Sequence, residues 1–187
     1  MRLRQIACDP RLLDYNYQGN SAKFESCADL VRRSIEGGHK VLLFSQFTTM
    51  IELFKHRFMA DGISHYILKG DTKKQERMRM VDEFNKDNTN VFLISLKAGG
   101  TGLNLTGADV VIHYDPWWNE SVTNQATDRA HRLGQDKPVQ VYKMIMQNSV
   151  EERMLSLAQK KSALSRLVLG GAIEKLKIDE LLELLLG

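Results

Sequence analysis

Short apolar runs that alternate with longer stretches of helical period constrain this chain more than any other feature. The runs are Val41 to Ser45, Ser64 to Leu68, Val91 to Ser95, Val110 to Tyr114 and Val139 to Ile145. Most are continuous, as strands are when a parallel sheet buries both of their faces. Phe47 to Ala60, Thr72 to Asn85 and Glu120 to Leu133 are each long enough for a crossover helix. In the second of these, Met78, Val81 and Phe84 recur at helical spacing among charged residues, which predicts an amphipathic helix. Strand–helix–strand repetition implies right-handed crossovers and an α/β fold, an open, mainly parallel sheet with helices on both faces.

Two flanks depart from this pattern. Residues 1–20 read as irregular, with 14–20 an exposed connection before a helix from about Ala22. After the last strand, Ser149-Val150-Glu151-Glu152 is a capping box, predicting a helix to about Leu169 that Gly170-Gly171 stops. A short Leu-rich helix over Asp179 to Leu186 would bury its face on something. The division is 1–20 as an incoming segment, 21–147 as the α/β body and 148–187 as a C-terminal helical extension. A length of 187 residues suits one compact domain with a small appendage. No apolar run reaches the roughly 20 residues that cross a bilayer. Met1-Arg2-Leu3-Arg4-Gln5 carries no secretory pattern, so the chain reads as cytosolic with no membrane partner. Cys8 and Cys27 share no metal-ligand spacing and read as reduced structural thiols; no metal site is expected.

The net charge of +3 is mild, but the positive residues cluster. Lys69, Lys73, Lys74, Arg77 and Arg79 form one group, and Arg129, His131, Arg132 and Lys137 another. Clustering, rather than the total, marks a polyanionic partner. The sharpest stretch is Gln125 to Gln135, in which Arg129 and Arg132 project from one face of a predicted helix. Their rigid planar donor forks suit a polyphosphate, against the plain alternative of a solvated basic face. Ser95 to Leu105 follows a buried strand and carries Gly99, Gly100 and Gly102. Such a loop either lets backbone approach a ligand, at the strand end where open α/β sheets bind them, or makes a tight turn. No Gly-x-x-x-x-Gly-Lys-Ser/Thr phosphate loop occurs. Lys40 to Thr48 ends a strand in small polar residues, and Ser45 and Thr48 either donate to a phosphate or cap a helix. Trp117 and Trp118, in Tyr114 to Asn119, pack a core or lobe interface, or contact a base or sugar.

In this order the stretches resemble the second motor lobe of Swi/Snf-type ATPases in helicase superfamily two. Leu3 to Pro10 is similar to the family's incoming segment, departing from it at the usual Cys and His positions. Val41 to Phe47 resembles the fourth motif, His65 to Phe84 the segment after it, Ser95 to Leu105 the fifth, and Gln125 to Gln135 the sixth. The resemblance implies a RecA-like lobe working with a first RecA-like lobe of the same polypeptide. That first lobe would supply the phosphate loop and Asp-Glu box and bind most of ATP and its magnesium. Asp82-Glu83 and Asp179-Glu180 here lie in predicted helices and are not read as that box. Arg132 is the implied arginine finger, with Arg129 a second phosphate contact or a partner fixing the first. Gly102 and Asn104 would line the nucleotide, and Gln125 and Asp128 would orient the arginines or sense closure. Ser45, Gln46, Thr48, Lys69, Lys97 and Trp118 would grip double-stranded DNA on its backbone. Further implications are a protein substrate on that DNA, a nucleoid-associated location in a prokaryote, and inactivity of the chain alone. The helices from Ser149 resemble the family's brace, whose exposed Leu-rich faces predict weak self-association. Three other readings stay open: a lobe of a strand-separating helicase, a non-catalytic nucleic-acid or protein-binding module, and a small α/β metabolic enzyme. The last leaves the Arg-His-Arg stretch unexplained, and His131 with Gly134-Gln135 favours the double-strand motor over strand separation.

Overall fold

The computed structural model describes residues 2–99, 103–115, 127 and 137–169. Its elements are α1 (Arg2–Cys8), a 3-10 turn (Pro10–Leu12), α2 (Ala22–Glu36), β1 (Val41–Ser45), α3 (Thr48–Ala60), β2 (His65–Leu68), α4 (Lys74–Lys86), β3 (Val91–Ser95), α5 (Leu96–Gly99), β4 (Val110–His113), β5 (Gln140–Lys143) and α6 (Val150–Leu169). The strands form one sheet in the order β2-β3-β1-β4-β5, parallel at every pairing.

Continuous apolar strands are explained by their alternation between two cores. In register, Val41 faces Val91 on one side and Val110 on the other. Val41, Leu43, Val91, Leu93, Val110 and Ile112 pack under Phe24, Cys27 and Val31 of α2 and Met50, Ile51, Phe54 and Phe58 of α3. Leu42, Phe44, Phe92, Ile94 and Val111 turn to the opposite face, against Met80 and Phe84 of α4. Each such side chain stabilises the fold by roughly 1.5–3 kcal/mol through burial. The outermost strand β5 is shorter than its predicted run and exposed along its length.

Three expectations are corrected in detail. On α4, Met80 and Phe84 are buried and Val81 half-buried, but Met78 is 64% exposed. Steps of three residues fall about 60° short of a full turn, so the predicted stripe drifts off the core side. Residues 1–20 are not irregular throughout, because α1 and the 3-10 turn order much of them. Asp9 accepts from the Arg11 amide at 2.9 Å and from its guanidinium at 2.8 and 2.7 Å, and α1 packs against α6. The capping box before α6 is offset by one residue. Ser149 Oγ accepts from the Glu151 amide at 3.1 Å, and Glu152 accepts from the amide of Asn148, whose φ is 55°.

That offset releases Glu151 inward. Its carboxylate accepts from Lys23 Nζ at 2.6 and 2.7 Å and from the Met146 amide at 2.9 Å. Both partners of the ion pair are 2% exposed. Lys23 Nζ also sits 4.9 Å from the Tyr114 ring, and Tyr114 Oη donates to the Cys8 carbonyl at 2.6 Å. One knot therefore joins α1, α2, the end of β4 and α6. A second clamp holds the loop before β4: Asn85 Nδ2 donates to the Asn104 carbonyl at 2.8 Å, and the Gly107 amide donates to Asn85 Oδ1 at 2.9 Å. The predicted helices over Glu120 to Leu133 and Asp179 to Leu186 lie outside the described residues, apart from Thr127.

Candidate functional site

Because the strands are all parallel, the carboxyl ends of β1, β3 and β4 share one rim, the side on which open α/β sheets bind ligands. Ser45 and Ser95 are register partners there. Beside them, just beyond β4, stands Asp115, which is 1% exposed. Its carboxylate accepts from Ser45 Oγ at 3.0 Å and from the Gln46 amide at 3.0 and 3.1 Å. Ser45 Oγ in turn accepts from the Phe47 amide at 3.1 Å. Burial pushes the Asp115 carboxyl above the usual range, opposed by the hydrogen bonds from Gln46 and Ser45 and by the charge of Lys23. These bonds fix the turn by which β1 passes into α3.

The residues expected on DNA fall into distinct environments. Ser45, expected on a phosphate, is fully buried with its hydroxyl on Asp115, since its side chain points back into the rim before the chain reaches solvent. Gln46 is half-buried, and its Nε2 has no hydrogen-bond partner among the described residues. Thr48 is exposed in the first turn of α3, whose N-cap, Phe47, offers no side-chain cap. Lys69 follows β2 on the same rim; its amide donates to Thr72 Oγ1 at 3.1 Å and its ammonium pairs with Glu52 of α3. That hydrogen bond holds the Glu52 carboxyl below its usual range. Lys97 belongs to α5, but its side chain lies outside the described residues, as do Gly102, Trp118, Gln125, Asp128, Arg129 and Arg132.

One described residue of the arginine-bearing stretch does meet the rim. His113 Nε2 lies 3.0 Å from Thr127 Oγ1, inside Gln125 to Gln135. The His113 ring stacks on Phe44 with centroids 5.4 Å apart, and burial, then the charge of Lys143, pushes its pKa down to about 4. It is therefore a neutral ring at neutral pH. Asn104 is exposed and lines a pocket of about 1040 Å³ together with Thr72, Lys74, Arg77, Val81 and Leu103. The first basic cluster of the sequence thus supplies part of that pocket's wall. Among the described residues, no group of three His, Cys, Asp or Glu side chains could hold a metal ion, and no helix is long and apolar enough to cross a membrane.

Sequence reasoning assigned no role to Asp115, His113 or Ser95. The available signal was their position: each is a polar residue at the carboxyl end of a continuous apolar run.

Residues 22–134 match the family model described as the helicase conserved C-terminal domain. An uncharacterized ATP-dependent helicase of Mycoplasma pneumoniae is 43% identical over 191 residues, covering 98% of this chain and 18% of that protein. The chromatin-remodeling ATPase INO80 of Homo sapiens is 44% identical over 171 residues, covering 89% of this chain and 11% of that protein. The crystal structure of the C-terminal part of the Fun30 ATPase domain superposes with a TM-score of 0.71 at 32% identity, covering 84% of this chain and 53% of that one. The chain thus spans less than a fifth of the length of either relative.

Proposed function

This chain belongs to the helicase conserved C-terminal domain family, in its Swi/Snf-type branch, and on that premise we propose that it is the second RecA-like lobe of an ATP-driven motor that moves along double-stranded DNA. The observation that carries the reading is the contact of Thr127 with His113. Thr127 belongs to the stretch that carries Arg129 and Arg132, so its contact with the end of β4 supports a nucleotide completed beside this rim by a first lobe.

In this reading ATP lies between two lobes, and Arg132 neutralises charge on the departing γ-phosphate. Arg129 makes a second phosphate contact or fixes Arg132. Asn104 and Gly102 line the nucleotide side, and Gln125 and Asp128 orient the arginines as the cleft closes. The DNA backbone runs past Gln46, Thr48, Lys69, Lys97 and Trp118, with Ser45 acting from behind the surface. Backbone contacts of this kind position a duplex without reading its sequence, and those from Lys69 and Lys97 are weakened by salt. Magnesium does not fit the described residues of this lobe: no three His, Cys, Asp or Glu side chains among them converge, and Asp115 at the rim already accepts from Ser45 and Gln46. Its ligands are therefore assigned to the first lobe, as are the phosphate loop and the attacking water. Cycles of cleft closure and opening would then move the duplex past the lobes, against a protein bound to it.

The test is ATP hydrolysis by the isolated chain, with and without duplex DNA, over a range of salt. No turnover above background is expected. DNA-stimulated turnover by the chain alone would mean a complete nucleotide site and would refute the half-motor reading. In the two-lobe protein, Arg132→Ala should lower turnover by about 10³–10⁵, the worth of an arginine finger, and leave duplex binding nearly intact. Unchanged turnover would remove Arg132 from the mechanism.

A further inference from the structure

We infer that Asp115 is a positioning residue for the DNA-facing turn of this lobe: from inside the rim it sets the backbone of Gln46 and Phe47, and through it the surface that Gln46 and Thr48 offer to a phosphate. The inference rests on the DNA-motor reading above and extends it to a residue that touches neither DNA nor nucleotide.

Three observations converge on it. Asp115 is almost fully buried, yet both of its oxygens are aimed across the β1–β4 pair at a single turn. Burying a carboxylate is costly unless hydrogen bonds compensate, so a site that keeps one there has its geometry fixed by those bonds. The donors are the Ser45 hydroxyl and the Gln46 amide, and the hydroxyl relays the constraint to the Phe47 amide at 3.1 Å. Second, among the described residues no side chain other than Asp115 and Ser45 accepts from the amides of Gln46 and Phe47. α3 starts at Thr48 and its N-cap, Phe47, makes no side-chain cap bond, so its first turn is not held by the usual Ser, Thr or Asp device. Third, Gln46 is half-buried, with its Nε2 shielded from solvent and without a hydrogen-bond partner among the described residues, so the turn that Asp115 holds also decides where this donor lies.

The salt dependence of duplex binding separates positioning from general loosening. Each phosphate neutralised by Lys or Arg contributes about 0.9 to the slope of log affinity against log salt, whereas contacts from Gln46, Thr48 or backbone amides contribute nothing to it. The experiment is fluorescence anisotropy of a labelled 20-base-pair duplex with this chain, over a salt series, for the parent and four variants. Asp115→Ala is expected to weaken binding roughly fivefold to tenfold at every salt concentration with the slope unchanged, as loss of an uncharged phosphate contact does. Asp115→Asn, which keeps an acceptor oxygen in place, should restore affinity to within about twofold. Lys69→Gln serves as the contrast, with a slope smaller by about 0.9. Ser45→Ala removes one arm of the device with little change of volume and should fall between parent and Asp115→Ala; it also keeps the test open should Asp115→Ala fail to fold. Parent-like affinity of a folded Asp115→Ala, or of Ser45→Ala where the former is unfolded, overturns the inference. So does a slope that falls together with affinity. Absence of duplex binding by the parent chain is a different result: it sinks the DNA reading itself, and this inference with it.

Discussion

Replacing Glu151 by alanine should be among the most damaging single changes outside the apolar cores. The carboxylate receives Lys23 Nζ at 2.6 and 2.7 Å, and both side chains are 2% exposed. Without it the ammonium stays inside the protein with the face of Tyr114 but without its ion-pair partner. The Met146 amide loses its acceptor as well. Removing one partner of a buried pair costs about 3–5 kcal/mol. At this chain length that is a fall in Tm of roughly 6–20 °C. Bond length is not what sets the figure. Arg32 and Asp29 approach to 2.5 Å on the surface of α2, but each is 49% exposed, and Asp29→Ala should cost below about 1 kcal/mol. The assay is urea denaturation of the 187-residue chain followed by circular dichroism, parent against each variant. Removing both charges at once, as Lys23→Met with Glu151→Leu, should recover most of the loss, because the penalty lies in the orphaned charge. A Glu151→Ala variant no less stable than Asp29→Ala would refute the reasoning.

Two further outcomes follow from the same physics. His113 is held neutral by burial, its pKa pushed down to about 4 from 6.5, so the unfolded chain binds a proton in that window and the folded one does not. Stability contributed by the neutral ring is complete above pH 6.5 and is lost as pH falls towards 4, by about 2 kcal/mol at pH 5. His113→Asn should remove that part of the pH dependence, and equal slopes for parent and variant in thermal melts from pH 7 to 5 would contradict it. Gly107→Ala would bring a Cβ to 2.9 Å from Asn85 Cα and 3.0 Å from its Oδ1, where backbone cannot give way cheaply. A loss of about 1–3 kcal/mol is expected, read by chemical denaturation, and a neutral result would mean that the Asn85 clamp yields.

The central sheet was legible because its cause is local in the sequence. Val41 to Ser45, Val91 to Ser95 and Val110 to His113 are apolar on both parities, and only a strand covered on both sides tolerates that. β5 was overestimated because an edge strand gains pairing on one side alone, so its pairing with β4 ends with the bond from the Met144 amide to the His113 carbonyl, and Val139 and Ile145 fall outside the strand. α1 could not be read, since Arg2 to Cys8 is only seven residues long, leaves Leu3 and Ile6 exposed, and packs against α6, far away in the chain. Glu151 carried a genuine helix-start signal, but its principal partner lies 128 residues earlier, and no local pattern distinguishes a capping carboxylate from a buried one. The candidate site was legible as a set of stretches, not as a set of contacts. Ser45 was noticed for its hydroxyl, and only the pairing of β1 with β4 reveals that the hydroxyl belongs to Asp115.

The Lys23–Glu151 pair also gives α6 a fulcrum. The helix starts at Val150 and is 20 residues long, so it extends about 30 Å from the point where it is pinned. Over that length a tilt of about 10° displaces the far end by about 5 Å, while Glu151, on the first turn, hardly moves. Leverage runs in the reverse sense as well. A load on the distal turns would reach Tyr114 through Lys23 with its force multiplied and its travel reduced, one residue from the carboxylate that shapes the turn between β1 and α3.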